Sequence, residues 1–108
     1  MALMLRLVKA GLQPPHGCLL MYPCLYVDAL SCSPSYFTSL EDPVLTMDML
    51  KLVAYSYVDP EFNHLEDPFI CPMLAGEELL GKMPPIRIVV GSEDALYDDN
   101  WRLIRKLR

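Results

Sequence analysis

Two short apolar runs, far apart in the chain, constrain the fold more than any other feature: CLLMY at 18–22 and, after a pair of prolines, IRIVVG at 86–91. An uninterrupted apolar run too short for a buried helix suits a strand covered on both faces, which is the pattern of a parallel sheet. Pro23 stops the first run. The second is rich in β-branched residues (Ile86, Ile88, Val89, Val90), and Gly91 permits the turn that ends it. Strands are therefore expected at about 17–22 and 86–90.

Helical signals surround them. Residues 1–10 carry good helix formers followed by Gly11, where a helix C-terminus favours glycine. No Ser, Thr, Asp or Asn precedes Met1, so this helix reads as missing its first turns. In TMDMLKLVAYSYV the residues Met47, Leu50, Val53, Ala54 and Tyr57 recur at helical spacing, with Asp48 in the first turn, which predicts a helix over about 47–58 with a packing face. Asn100, Leu103, Ile104 and Leu107 make one face of a helix over about 98–107, with Asp98 or Asp99 as its cap. GEELLGK fits a shorter helix. The flanking stretches SPSYFTSLEDPVL and LEDPFICPML read as mostly irregular. Helix, strand, long insertion, strand, helix is the rhythm of an α/β fold. Two strands alone do not make a stable sheet in water, so both ends read as parts of something larger.

Composition narrows the function classes. A 108-residue chain that is 53% hydrophobic, with mean hydropathy +0.23, is no disordered tail. A formal charge of −5 argues against nucleic acid, which needs clustered cations. The one basic cluster, Arg102, Arg105, Lys106 and Arg108, falls at the end of the last predicted helix, where positive charge suits the macrodipole. Cys18, Cys24, Cys32 and Cys71 contain no C-x-x-C spacing, which suggests buried reduced thiols. No metal or cofactor motif is present. MALMLRLVKAG is interrupted by Arg6 and Lys9 and lacks a signal-peptide pattern, and the apolar stretch after it is too short to span a bilayer, so a cytoplasmic location is expected.

Function concentrates in GSEDALYDDNW, residues 91–101. In open α/β sheets, functional residues gather beyond the carboxyl ends of the strands, where Ser92, Glu93 and Asp94 fall. Asp98 and Asp99 lie at a helix start and suit structural roles. His16 and His64 sit in a turn and a loop and are expected to face solvent. Ser92 follows Gly91 but has no elbow pattern around it.

The segments PPHGCLLMYPCL, SPSYFTSLEDPVL and DPFICPMLAGEELLGKMPPIRIVVGSEDALYDD together resemble the hormone-sensitive-lipase group of α/β-hydrolases over nearly the whole chain. The resemblance implies a partial α/β-hydrolase fold in which Tyr22-Pro23 ends one strand and Asp94-Ala95-Leu96-Tyr97-Asp98 corresponds to the family's D-P-L-x-D. It makes Asp94 the acid of a Ser-Asp-His triad and leaves Asp98 to organise the loop and helix start. It assigns roughly Ser31–Ala75 to the substrate-binding and cap side, and a small-molecule or lipid ester as substrate. Ala95 departs from the family's proline. The chain encodes no G-x-S-x-G elbow and no H-G-G-G motif, and neither histidine follows Asp94. The expectation is an esterase-type chain, inactive alone. A non-catalytic interaction module that pairs its strand edges and apolar faces with a partner chain, and a truncated gene product, are the alternatives; exposed strand edges also invite self-association.

Overall fold

The computed structural model describes residues 1–28, 33–59 and 61–108; Ser31 and Cys32 lie outside the described residues. Helix α1 (Ala2–Lys9) leads to strand β1 (Cys18–Met21). A long insertion follows, with α2 (Pro34–Thr38), α3 (Met47–Tyr57), two single 3₁₀ turns (His64–Glu66 and Pro72–Leu74) and α4 (Glu77–Leu80). Strand β2 (Ile86–Val89) and α5 (Tyr97–Lys106) complete the chain.

The two strands pair in parallel with Cys18 opposite Ile86 and Met21 opposite Val89. The α/β expectation therefore stands: both strands and all three long helices form close to where the sequence places them. Helix α1 ends as a Schellman motif, with Leu12 N–H donating to Leu7 O at 3.0 Å and Gly11 N–H to Val8 O at 3.1 Å. Gly11 takes φ +68°, a conformation costly for any residue with a Cβ. Helix α3 begins where Thr46 accepts the Met49 N–H in its side chain, 3.2 Å, with Asp48 in the first turn.

The core gathers on one side of the sheet. Leu5 of α1, Leu25, Ala75, Leu80 of α4 and Leu103 of α5 are buried together, with Ile88 of β2 against them. A smaller cluster joins Val27, Val58 and Cys71. The Arg6 guanidinium and the Lys9 ammonium each lie 5.1 Å from the Phe69 ring centre, tying the last turn of α1 to the insertion.

Three sequence expectations are corrected. The strands are covered on one face, not two: Leu20 is buried, whereas Leu19 and Met21 are 60% and 64% exposed and Val89 is exposed beside them. Successive side chains point to opposite faces, and nothing among the described residues lies over the Leu19–Met21–Val89 face. The apolar side of α3 is only half-packed: Ala54 meets the Val27–Val58–Cys71 cluster and Leu50 is half-buried, while Val53 and Tyr57 are exposed. The flanking stretches are mostly irregular as expected, apart from the short helix at Pro34–Thr38. Of the described cysteines only Cys71 is buried, while Cys18 is half-buried and Cys24 exposed. Cys71 is held by the Val27 N–H, 3.3 Å from its sulfur, and burial pushes its thiol pKa up. No helix among the described residues is long and apolar enough to cross a membrane.

Candidate active site

The carboxyl ends of both strands lie side by side, and each delivers one sequence-predicted residue. At the end of β1, Tyr22 N–H donates to Val89 O at 2.8 Å, which closes the ladder. Tyr22 then turns through φ +47° into Pro23. A left-handed conformation costs a bulky residue about 1–2 kcal/mol, so neighbouring contacts hold it there. The turn expected at Gly91 forms there, with Gly91 O accepting the Asp94 N–H, and it does so without positive φ at Gly91. The Tyr22 ring lies near Gly91, with Cε1 3.9 Å from the place a Cβ there would take and the Asp94 Cβ 3.8 Å from it.

Asp94 stands in the turn after β2. Its N–H donates to Gly91 O at 3.2 Å, its carbonyl accepts the Tyr97 N–H at 3.0 Å, and its Oδ1 accepts the Leu96 N–H at 2.8 Å. The side chain is half-buried, and Oδ2 makes no hydrogen bond among the described residues. One carboxylate oxygen is thus fixed by the backbone and the other is left for a donor. Ser92 and Glu93 are exposed and point to no such arrangement.

Asp98 and Asp99 are not the side-chain caps the sequence suggests, because no side chain from within α5 caps its start. Asp98 Oδ2 accepts the N–H of Ser35, 2.7 Å away in α2, and the Asp98 N–H donates to the Ser35 hydroxyl at 3.2 Å. Each helix start is capped by the other, across 63 positions of sequence. Asp98 does organise the helix start, through a distant partner. Asp99 lies 3.3 Å from the Arg102 guanidinium. Burial raises its carboxyl pKa, Arg102 opposes the shift, and Asp98 adds to it.

Sequence reasoning missed Ser35, Ser39 and the bridging role of Asn100. The Ser35 hydroxyl donates to Ala95 O at 2.9 Å, and the Ser39 hydroxyl lies 2.8 Å from Glu93 O. Asn100 is fully buried; its Nδ2 donates to Leu96 O at 2.8 Å and to Pro23 O at 3.3 Å, joining the two strand ends. Its Oδ1 finds no partner among the described residues. Ser33-Pro34, an N-cap residue followed by proline at the first helical position, was the available signal for α2. His16 is exposed and His64 half-exposed; neither is within the group around Asp94.

Beside this group opens an apolar cleft of about 560 Å³. Leu50, Val53 and Tyr57 of α3 form one wall and Phe69 and Ile70 another, while Pro23 and Leu96 line the side next to the strand ends. Asp94 is not in its wall but is hydrogen-bonded to Leu96, which is. The half-packed face of α3 is thereby explained as the side of an open cleft.

Known proteins share this fold. Carboxyl esterase 2 from the mycorrhizal fungus Tuber melanosporum superposes with a TM-score of 0.86 at 24% identity, over 98% of this chain and 34% of that one. A thermostable esterase from Pseudomonas putida gives 0.85 at 24% identity, over 98% and 32%. Human hormone-sensitive lipase is 39% identical over 44 residues, which are 41% of this chain and 4% of the lipase. The chain therefore spans about a third of the length of the solved esterases. With parallel strands, the acidic turn after β2 and a family model matched over residues 1–108, the chain belongs to the alpha/beta hydrolase fold family, in its hormone-sensitive-lipase type.

Proposed function

We propose that this chain supplies the acid and part of the substrate cleft of a carboxylic ester hydrolase. The observation that carries the reading is the setting of Asp94, at the carboxyl end of β2, with Oδ1 fixed by the Leu96 N–H and Oδ2 without a partner among the described residues. In acyl transfer of this kind a serine attacks the ester carbonyl and a histidine takes its proton. The acid orients the imidazole and stabilises its charged form, and backbone donors hold the oxyanion. Asp94 is the acid in this scheme; the nucleophile and the base come from outside these 108 residues. The apolar cleft beside Leu96 receives the hydrocarbon part of the ester, and the insertion at about 31–75 forms that side.

The test replaces the matching third of the Tuber melanosporum esterase with this chain and follows hydrolysis of a p-nitrophenyl ester. Asp94→Asn is expected to lower kcat on the order of 10⁴-fold, because the imidazole loses its orienting partner. Equal turnover by the Asn variant would refute the assignment. The 108-residue chain by itself is expected to show no turnover above its own Asp94→Asn control.

A second reading is favoured by the bare Leu19–Met21–Val89 face and by the open edges of the two strands among the described residues. On it, the chain is an interaction module that associates with further copies of itself.

A further inference from the structure

We propose that Ser35 and Ser39 are positioning residues that hold Asp94 in place from the opposite side of its turn. The inference rests on the reading of Asp94 as the triad acid. The two peptide carbonyls that flank Asp94 are both taken by serine hydroxyls. Glu93 O lies 2.8 Å from the Ser39 Oγ, across 54 positions, and Ala95 O lies 2.9 Å from the Ser35 Oγ, across 60. Ser35, Ser39 and Ala95 are buried, whereas Glu93 is exposed and its carbonyl is reached from the buried side by Ser39.

Hydrogen-bond bookkeeping shows why Ser35 holds firmly. Its hydroxyl donates its one proton to Ala95 O and accepts from the Asp98 N–H at 3.2 Å and from the Ser33 hydroxyl at 3.0 Å. Its own N–H donates to Asp98 Oδ2 at 2.7 Å, a charge-assisted bond. Ser35 thus makes three bonds to the segment 95–98, the one to Ala95 O buried and backed by the Ser33 hydroxyl at 3.5 Å, the two to Asp98 part-buried. Ser39 shares its proton between Glu93 O and Ser35 O, which lies 2.7 Å away. With both carbonyls fixed, the backbone on either side of Asp94 cannot rotate, and Oδ1 stays on the Leu96 N–H. Neither serine touches a reacting atom; both act through Asp94.

The experiment is solution NMR of the 108-residue chain. It reads the three-bond coupling from the Asp94 backbone nitrogen to its Cγ, which reports χ1, and hydrogen exchange of the Leu96 amide. In Ser35→Ala and in Ser39→Ala the coupling is expected to move to a rotamer-averaged value and Leu96 exchange to speed up by ~10-fold. Asp98→Ala should behave likewise, whereas Asp98→Asn, whose amide oxygen can still accept from Ser35, should keep the original coupling. The Cys18 and Tyr22 amides, bonded to Pro85 O and Val89 O at the two ends of the sheet, are expected to keep their protection throughout. An unchanged Asp94 coupling in both serine variants would overturn the proposal. So would a proportionate loss of protection at Cys18 and Tyr22, which would reduce the serines to a general role in the fold. These readouts contain no catalysis, so they separate from the triad reading: turnover unaffected by Asp94→Asn in the hybrid esterase sinks that reading and leaves the coupling result standing.

Discussion

Asp94, Asp98 and Asp99 share one turn and a helix start, yet three different surroundings give them three different behaviours. Asp94 keeps one oxygen without a partner among the described residues, Asp98 is consumed by Ser35, and Asp99 is half withdrawn from water between an exposed arginine and the Asp98 charge. The position of Asp94 in the turn after β2 was legible in the sequence because it follows a strand directly. The work of Asp98 was not, because its partner lies 63 positions earlier and no local pattern encodes that pairing. Asp99 yields a pH prediction. Its folded carboxyl pKa is raised, chiefly by burial, so the native state binds the proton more tightly than the unfolded chain does. The associated stability is full below the ordinary aspartate value and is lost as pH rises through the folded value. Asp99→Asn cannot lose it. Urea unfolding should therefore find the Asn variant and the wild type alike near pH 3, with the variant gaining relative stability toward pH 7. A difference that instead shrinks as pH rises would show that the Arg102 pair outweighs burial.

Among the elements, those with signals inside their own sequence were predictable and those completed from elsewhere were not. Helix α1 carries its stop signal in Gly11, and α3 its start in Thr46 and Asp48, so both sets of ends were readable. Helix α2 is five residues long and depends on the Asp98 carboxylate for its first turn, so propensity alone could not reveal it. The faces of the elements were less legible than their positions. An apolar stripe says that a surface will be covered but not by what: on α3 it lines a cleft, and on β1 half of it is bare. The stop of α1 can be tested cleanly because a Cβ at Gly11 would meet nothing within 4 Å. Gly11→Ala should therefore cost only the left-handed backbone penalty, about 1–2 kcal/mol, read as a lower urea midpoint at unchanged slope. No change in midpoint would mean that α1 frays before its cap contributes.

At the scale of the whole molecule, the chain has more surface than its mass calls for. A self-contained domain of 12.3 kDa exposes about 6,100 Å², whereas this chain exposes 7255 Å². Its extents of 42 × 33 × 18 Å describe a slab, and its radius of gyration of 14.2 Å exceeds the roughly 13 Å of a compact chain this long. The excess area, about 1,200 Å², is more than the roughly 800 Å² that one partner contributes to a standard protein interface. Part of the excess is the outer sheet face, where Leu19, Met21 and Val89 stand exposed with Arg87 among them. Apolar area removed from water is worth about 25 cal/mol per Å², so leaving this face wet is unfavourable and pairing it is not. Edge strands with free N–H and C=O groups add a directional means of association. Sedimentation velocity on the purified chain should accordingly give a weight-average coefficient that climbs with concentration above that of a 12.3 kDa monomer. Leu19→Lys together with Met21→Lys, which sets two more positive charges beside Arg87 without entering the core, should return the chain to a monomer while retaining its circular dichroism. A wild-type chain that stays monomeric at every concentration would remove the case for self-association, and the bare face would then have to be stable against water on its own.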